Sequence, residues 1–163
     1  MEASNRLRQE AADLRNNPFA DMFAEPVSDD LLNWRVMIQG PENSPYKYGL
    51  FHLQVEHGVD YASVVPDVTF KTKIFHPMVE SSGKLCPWCL KEWLVDVGLV
   101  PPYNLRTLLQ TLRSLLENPY SCRSHLTTEV RDMHQVNPQL FEATAKEWTG
   151  RYACDERHMR AGG

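Results

Sequence analysis

The chain has 163 residues, of which 42% are hydrophobic and 23% charged, which suits one domain with a sizeable core and excludes wholesale disorder. Its formal net charge of −4 argues against nucleic acid as the main partner, because neutralising phosphates takes a basic excess. No apolar run approaches the ~18 residues of a membrane span, residues 1–17 lack the apolar centre of a secretory signal, and four cysteines are too sparse for a disulfide framework, so a soluble monomer of a reducing compartment, cytoplasmic or nuclear, is expected.

Leu7, Ala11 and Leu14 recur at helical spacing and predict an N-terminal helix, with Ser4 as cap and Pro18 as stop. From about Asp21 the period changes to two. Trp34, Val36 and Ile38 alternate with Arg35, Met37 and Gln39, then Phe51, Leu53 and Val55 alternate again, and Val68 and Phe70 open a fourth run. The turn chemistry between them (Gly40 to Pro45, then Gly58 to Asp60) predicts an antiparallel meander. Residues 76–103 hold Pro77, Pro87, Pro101 and Pro102 and are expected to be an ordered but irregular loop, with nothing helical after Cys89. Leu105, Leu108, Leu109, Leu112, Leu115 and Leu116 then predict a long helix, capped by Asn104 and stopped at Asn118-Pro119. Shorter helices are expected from about Leu126 to Gln135 and after Pro138. The order describes an α+β domain over residues 1–154, with residues 155–163 as a tail.

Chemistry is expected in the irregular middle, since binding and catalytic residues concentrate on loops held by a scaffold. Cys86 follows the turn-forming Ser81-Ser82-Gly83 and lies downstream of His76-Pro77, a setting that could present a thiol rather than pack it. Cys86-Pro87-Trp88-Cys89 is also a C-x-x-C pattern, which leaves a redox pair or half a zinc site open. The zinc reading lacks a convincing second ligand pair, and the redox reading wants a helix directly after the motif. Neither a metal nor another cofactor is expected.

Taken in order, Trp34 to Ile38, Gly40-Pro41, Ser44-Pro45-Tyr46, Phe75-His76-Pro77, Gly83, Leu85-Cys86, Trp93 and Glu147-Trp148-Thr149 resemble the ubiquitin-conjugating enzymes over about residues 4 to 154. The resemblance implies that family's fold: an N-terminal helix, a four-stranded antiparallel meander, an active-site loop and C-terminal helices. It implies that Cys86 accepts ubiquitin or a ubiquitin-like protein as a thioester, in an ATP-dependent pathway with an activating enzyme and a ligase as partners. A thiol suits that role because a thioester keeps the acyl group reactive. Cys89 becomes a packing residue, and His76, Pro77, Met78, Trp88 and Arg123 form the neighbourhood of the site.

The departures from the family pattern matter as much. His76-Pro77-Met78 stands where the family has His-Pro-Asn, so a hydrogen-bond donor for the reaction's oxyanion is missing. Cys122-Arg123-Ser124 stands where an acidic side chain is usual. Ala62-Ser63 and Leu94-Val95-Asp96 replace the usual ligase-facing residues, and Arg6 and Arg8 on the first helix are candidates for contact with the activating enzyme. A binding module with a silent Cys86 is the alternative reading.

Overall fold

The computed structural model describes residues 2–27, 29, 31–119 and 129–154. Helix α1 spans Glu2–Asn16 and buries Leu7, Ala11 and Leu14. Ser4 lies inside this helix rather than at its cap. The helix is set by its apolar stripe, and nothing in Glu2-Ala3 halts it ahead of Ser4. It ends before Pro18, as expected.

Strands β1 (Met22–Pro26), β2 (Asn33–Gln39), β3 (Leu50–Glu56) and β4 (Asp67–Phe70) form one antiparallel sheet in the order β1-β2-β3-β4. The register pairs Trp34 with Val55, Val36 with Leu53 and Ile38 with Phe51, so all six side chains fall on one face. That face is the core, and each of the six is buried. Burying such a side chain is worth about 1.5–3 kcal/mol. A register slip of one residue would turn the whole set to solvent, which is why the alternation fixes the pairing.

Helix α3 (Leu105–Glu117) lays its leucine stripe into the same core. Its cap is Asn104, whose Oδ1 accepts the Thr107 N–H at 2.9 Å. A second cap comes from α1: Glu10 accepts the Leu105 N–H and the Tyr61 hydroxyl, while Arg6 pairs with Glu10 and donates to the Tyr103 carbonyl at 3.1 Å. Helix α4 (Glu129–Val136) and helix α5 (Pro138–Tyr152) follow, the latter capped by Asn137. The Leu50 N–H donates to the Ala153 carbonyl and ties the end of α5 to the sheet.

The expectation of an irregular segment after Cys89 is wrong over its first part. Helix α2 runs from Pro87 to Asp96. The prolines and glycine that suggested a loop all lie at its ends. Pro87 occupies the first helical position, where its missing N–H costs nothing, and Gly98 follows the last turn with a φ of +84°. Between them Leu90 and Leu94, four residues apart, are buried together with Cys89. The Trp93 indole N–H donates to the Ser114 hydroxyl at 3.2 Å and fastens α2 to α3.

Candidate active site

Beyond β4 the chain returns as a tight hairpin. Val79 and Leu85 bridge each other, and the Glu80 N–H donates to the Lys84 carbonyl at 2.9 Å. Gly83 closes the hairpin with a φ of +94°, and a Cβ there would stand 2.3 Å from the Phe70 carbonyl oxygen. The position therefore requires glycine. The Phe70 N–H to Gly83 carbonyl and Leu85 N–H to Val68 carbonyl bonds, at 2.7 and 2.9 Å, hang the hairpin on the edge of β4.

Cys86 emerges from that hairpin at the N-cap of α2. Three hydrogen bonds in series lead to it from α3. His76 Nε2 meets the Leu115 carbonyl at 2.9 Å, the Met78 N–H donates to His76 Nδ1 at 3.0 Å, and the Cys86 N–H donates to the Met78 carbonyl at 2.8 Å. The series assigns the tautomer. A backbone N–H can only be accepted by an unprotonated Nδ1, so the proton sits on Nε2 and is given to Leu115. Burial lowers the His76 pKa to about 4, the Leu115 bond opposes this, and the charge of His134 adds slightly to it. His76 is thus a neutral two-ended connector that sets where Cys86 begins α2.

The Cys86 thiol is free and 7% exposed, and its sulfur accepts the Cys89 N–H at 3.4 Å. Cys89 is fully buried and disulfide-bonded, whereas Cys86 is free, so the two halves of the C-x-x-C are not joined to each other. Among the described residues no three His, Cys, Asp or Glu side chains gather as metal ligands.

His76, Pro77 and Met78 are all buried, and of the three Met78 bonds directly to Cys86, through its carbonyl. The Met78 side chain, 1% exposed, belongs to the core. Trp88 is 72% exposed on the first turn of α2. Arg123, with its neighbours Cys122 and Ser124, falls outside the described residues. The expected partner-facing residues lie apart from the thiol. Arg8 is exposed on α1, while Arg6 is partly committed to Glu10 and Tyr103. Ser63, Val95 and Asp96 are exposed, but Ala62 and Leu94 are buried, so any contact there uses their backbone or their neighbours.

Sequence reasoning missed Arg131 of α4, which is 5% exposed and donates to the Cys89 sulfur at 3.4 Å beneath α2. Its only sequence signal was a position between the partly buried Val130 and Met133, which is too weak to single out a charged residue.

Two comparisons with known proteins bear on this site. Residues 6–149 match the family model described as ubiquitin-conjugating enzyme. A crystal structure from Plasmodium yoelii, of a chain assigned as a ubiquitin conjugating enzyme, superposes with a TM-score of 0.76 at 30% identity and covers 95% of this chain and 97% of its own.

Proposed function

The chain belongs to the ubiquitin-conjugating enzyme family, and from that premise we propose that Cys86 takes ubiquitin or a ubiquitin-like modifier from an activating enzyme as a thioester and passes it to a substrate or ligase. The observation that carries this reading is the hydrogen-bonded series from Leu115 through His76 and Met78, which ends on a free thiol at a helix N-cap. A cysteine kept only for packing needs no such support. Exchange between two thioesters suits the site because sulfur is both the attacking and the leaving atom. The exposed Arg8 on α1 would meet the activating enzyme, with Arg6 beside it. Ser63, Val95 and Asp96 would meet a ligase.

The test is a loading assay with activating enzyme, ATP and a panel of modifiers. The native protein should form a conjugate that thiol reductants cleave. Cys86→Ser should trap the modifier as an ester that resists them, and Cys89→Ser should still give the labile form. A labile conjugate that persists in Cys86→Ser would overturn the assignment. Modifier binding without any conjugate would instead favour a non-catalytic binding module, a reading to which the missing donor at Met78 lends some support.

A further inference from the structure

The loop that carries Ser63 and the segment that follows α2 are joined by one bond, from the Tyr103 N–H to the Ala62 carbonyl at 2.7 Å. Ala62 sits there with a φ of +82°, in the left-handed region that a side chain disfavours. Strain of that kind persists only where the surroundings hold it. Here the hold comes from α1.

The hydroxyl of Tyr61, next in the chain to Ala62, donates to Glu10 Oε1 at 2.6 Å. Burial, and after it the bond to Glu10, push the Tyr61 pKa up, so the hydroxyl stays a donor. The same oxygen accepts the Leu105 N–H, just beyond Tyr103. One carboxylate oxygen therefore clamps both loops. The other, Oε2, is buried and accepts no hydrogen bond among the described residues. Its compensation is the Arg6 guanidinium, 3.3 Å away, which also donates to the Tyr103 carbonyl at 3.1 Å. The Arg6 side chain is 43% exposed, so a carboxylate of another protein can reach it. A buried charged oxygen that loses its counter-charge is costly. The Glu10 carboxylate escapes that cost by turning to solvent, and in doing so lets go of Tyr61 and Leu105.

We propose that Glu10 is the positioning residue of the ligase-facing surface and that Arg6 controls its grip: when the activating enzyme, docked on α1, draws Arg6 onto a carboxylate of its own, Glu10 releases the 61–63 loop and the 97–103 segment. The assignment of α1 to the activating enzyme, and of these loops to a ligase, rests on the proposed function. Linkage between two binding sites is reciprocal. A ligase that needs the ordered loops therefore binds better once the activating enzyme has left.

Amide hydrogen exchange at Tyr103 and Leu105, whose N–H groups lie in the clamp, tests this, with the amides of β2 and β3 as a gauge of global opening. Arg6→Ala should speed exchange at the two positions about 5- to 10-fold, the lower end of ordinary coupling between sites, and leave β2 and β3 at native rates. Adding Glu10→Gln to Arg6→Ala should restore slow exchange, because a neutral carboxamide keeps the acceptor oxygen and needs no counter-charge. In the unaltered protein, binding of an activating enzyme that loads Cys86 should speed the same two amides. Native rates in Arg6→Ala, acceleration spread equally over the sheet, no recovery in the double variant, or unchanged amides in the bound complex would each overturn the inference alone. Failure of every activating enzyme to load Cys86 would remove the proposed function and this inference with it.

Discussion

His76 and His57 are both buried, and burial pushes the pKa of each down to about 4. Their surroundings are opposite. Both ring nitrogens of His76 are engaged, and through them α3 holds the start of α2. Neither ring nitrogen of His57 has a partner among the described residues. It meets the Tyr61 ring edge-to-face, with centroids 4.5 Å apart, and only its backbone is anchored, on the Leu32 carbonyl. Burial is the largest cause of both shifts, whereas the hydrogen bonds set what each ring does for the fold. One region uses the ring as a connector, and the other merely tolerates it.

The strongest way to break that contrast is to remove the connector. His76→Phe would keep the ring volume but leave the Met78 N–H and the Leu115 carbonyl unpaired in the core. Each such orphan costs about 1–3 kcal/mol, so a loss of about 3–5 kcal/mol in urea unfolding is expected. Conjugation at Cys86 should fall with it, because Met78 anchors the Cys86 N–H. A loss under about 1 kcal/mol would mean that the series of bonds does not hold the site.

Acid should then work against both regions together. Each histidine has a folded pKa near 4, below the ordinary 6.5 of the unfolded chain, so the folded state binds fewer protons. The stability each contributes is whole above the unfolded pKa and drains as pH falls from 6.5 towards 4, at about 1.4 kcal/mol per pH unit inside that window. From pH 6.5 to 5 the pair should cost about 3–4 kcal/mol. A melting temperature that stays flat across that range would contradict the burial of at least one ring.

The hairpin beside His76 gives a finer comparison, between Gly83 and Gly98. Both have positive φ, at +94° and +84°. A Cβ at Gly83 would strike the Phe70 carbonyl oxygen, while at Gly98 it would meet nothing within 4 Å. Gly98→Ala should cost only the left-handed penalty, roughly 1 kcal/mol. Gly83→Ala adds a backbone clash and should cost roughly 2–3 kcal/mol. Thermal melts of the two variants would measure the difference, and equal losses would show that the hairpin yields where it is drawn as rigid.

Legibility in the sequence followed the same division. The sheet and α3 were readable because alternation and the leucine stripe report burial directly: Trp34, Val36 and Ile38 lie on the core face, and Asn104 caps the helix as expected. The α+β order followed from there, and the family from the ordered motifs around His76-Pro77 and Cys86 that resemble it. Helix α2 was not readable, because Pro87, Gly98 and Pro101 mark its ends yet look in sequence like a broken loop, and its buried set of Cys89, Leu90 and Leu94 is too short for a period to stand out. At the candidate site, Cys86 and His76 could be named from the sequence and Met78 from the family resemblance, but their bonds could not, since all three involve backbone atoms that carry no sequence signature. Glu10 as a second cap for α3 was equally hidden, because its partners lie 51 and 95 residues away.

The smallest expected effect sharpens the contrast most. His57→Phe removes two ring nitrogens that have no partner and keeps a flat ring against Tyr61. A buried polar atom without a partner costs free energy, and its replacement by an apolar group of the same shape is close to neutral or stabilising. At pH 7 the variant should therefore match the native protein within about 1 kcal/mol, on the stabilising side. Its advantage should widen as pH falls below 6.5, because the phenyl ring has no proton to take up and the acid loss left from these two rings belongs to His76 alone. Urea midpoints of the two proteins at pH 7 and pH 5 would decide it. A variant clearly weaker than native at pH 7 would show that His57 has a hydrogen-bonding partner after all, and the two histidines would then be two connectors of the same kind.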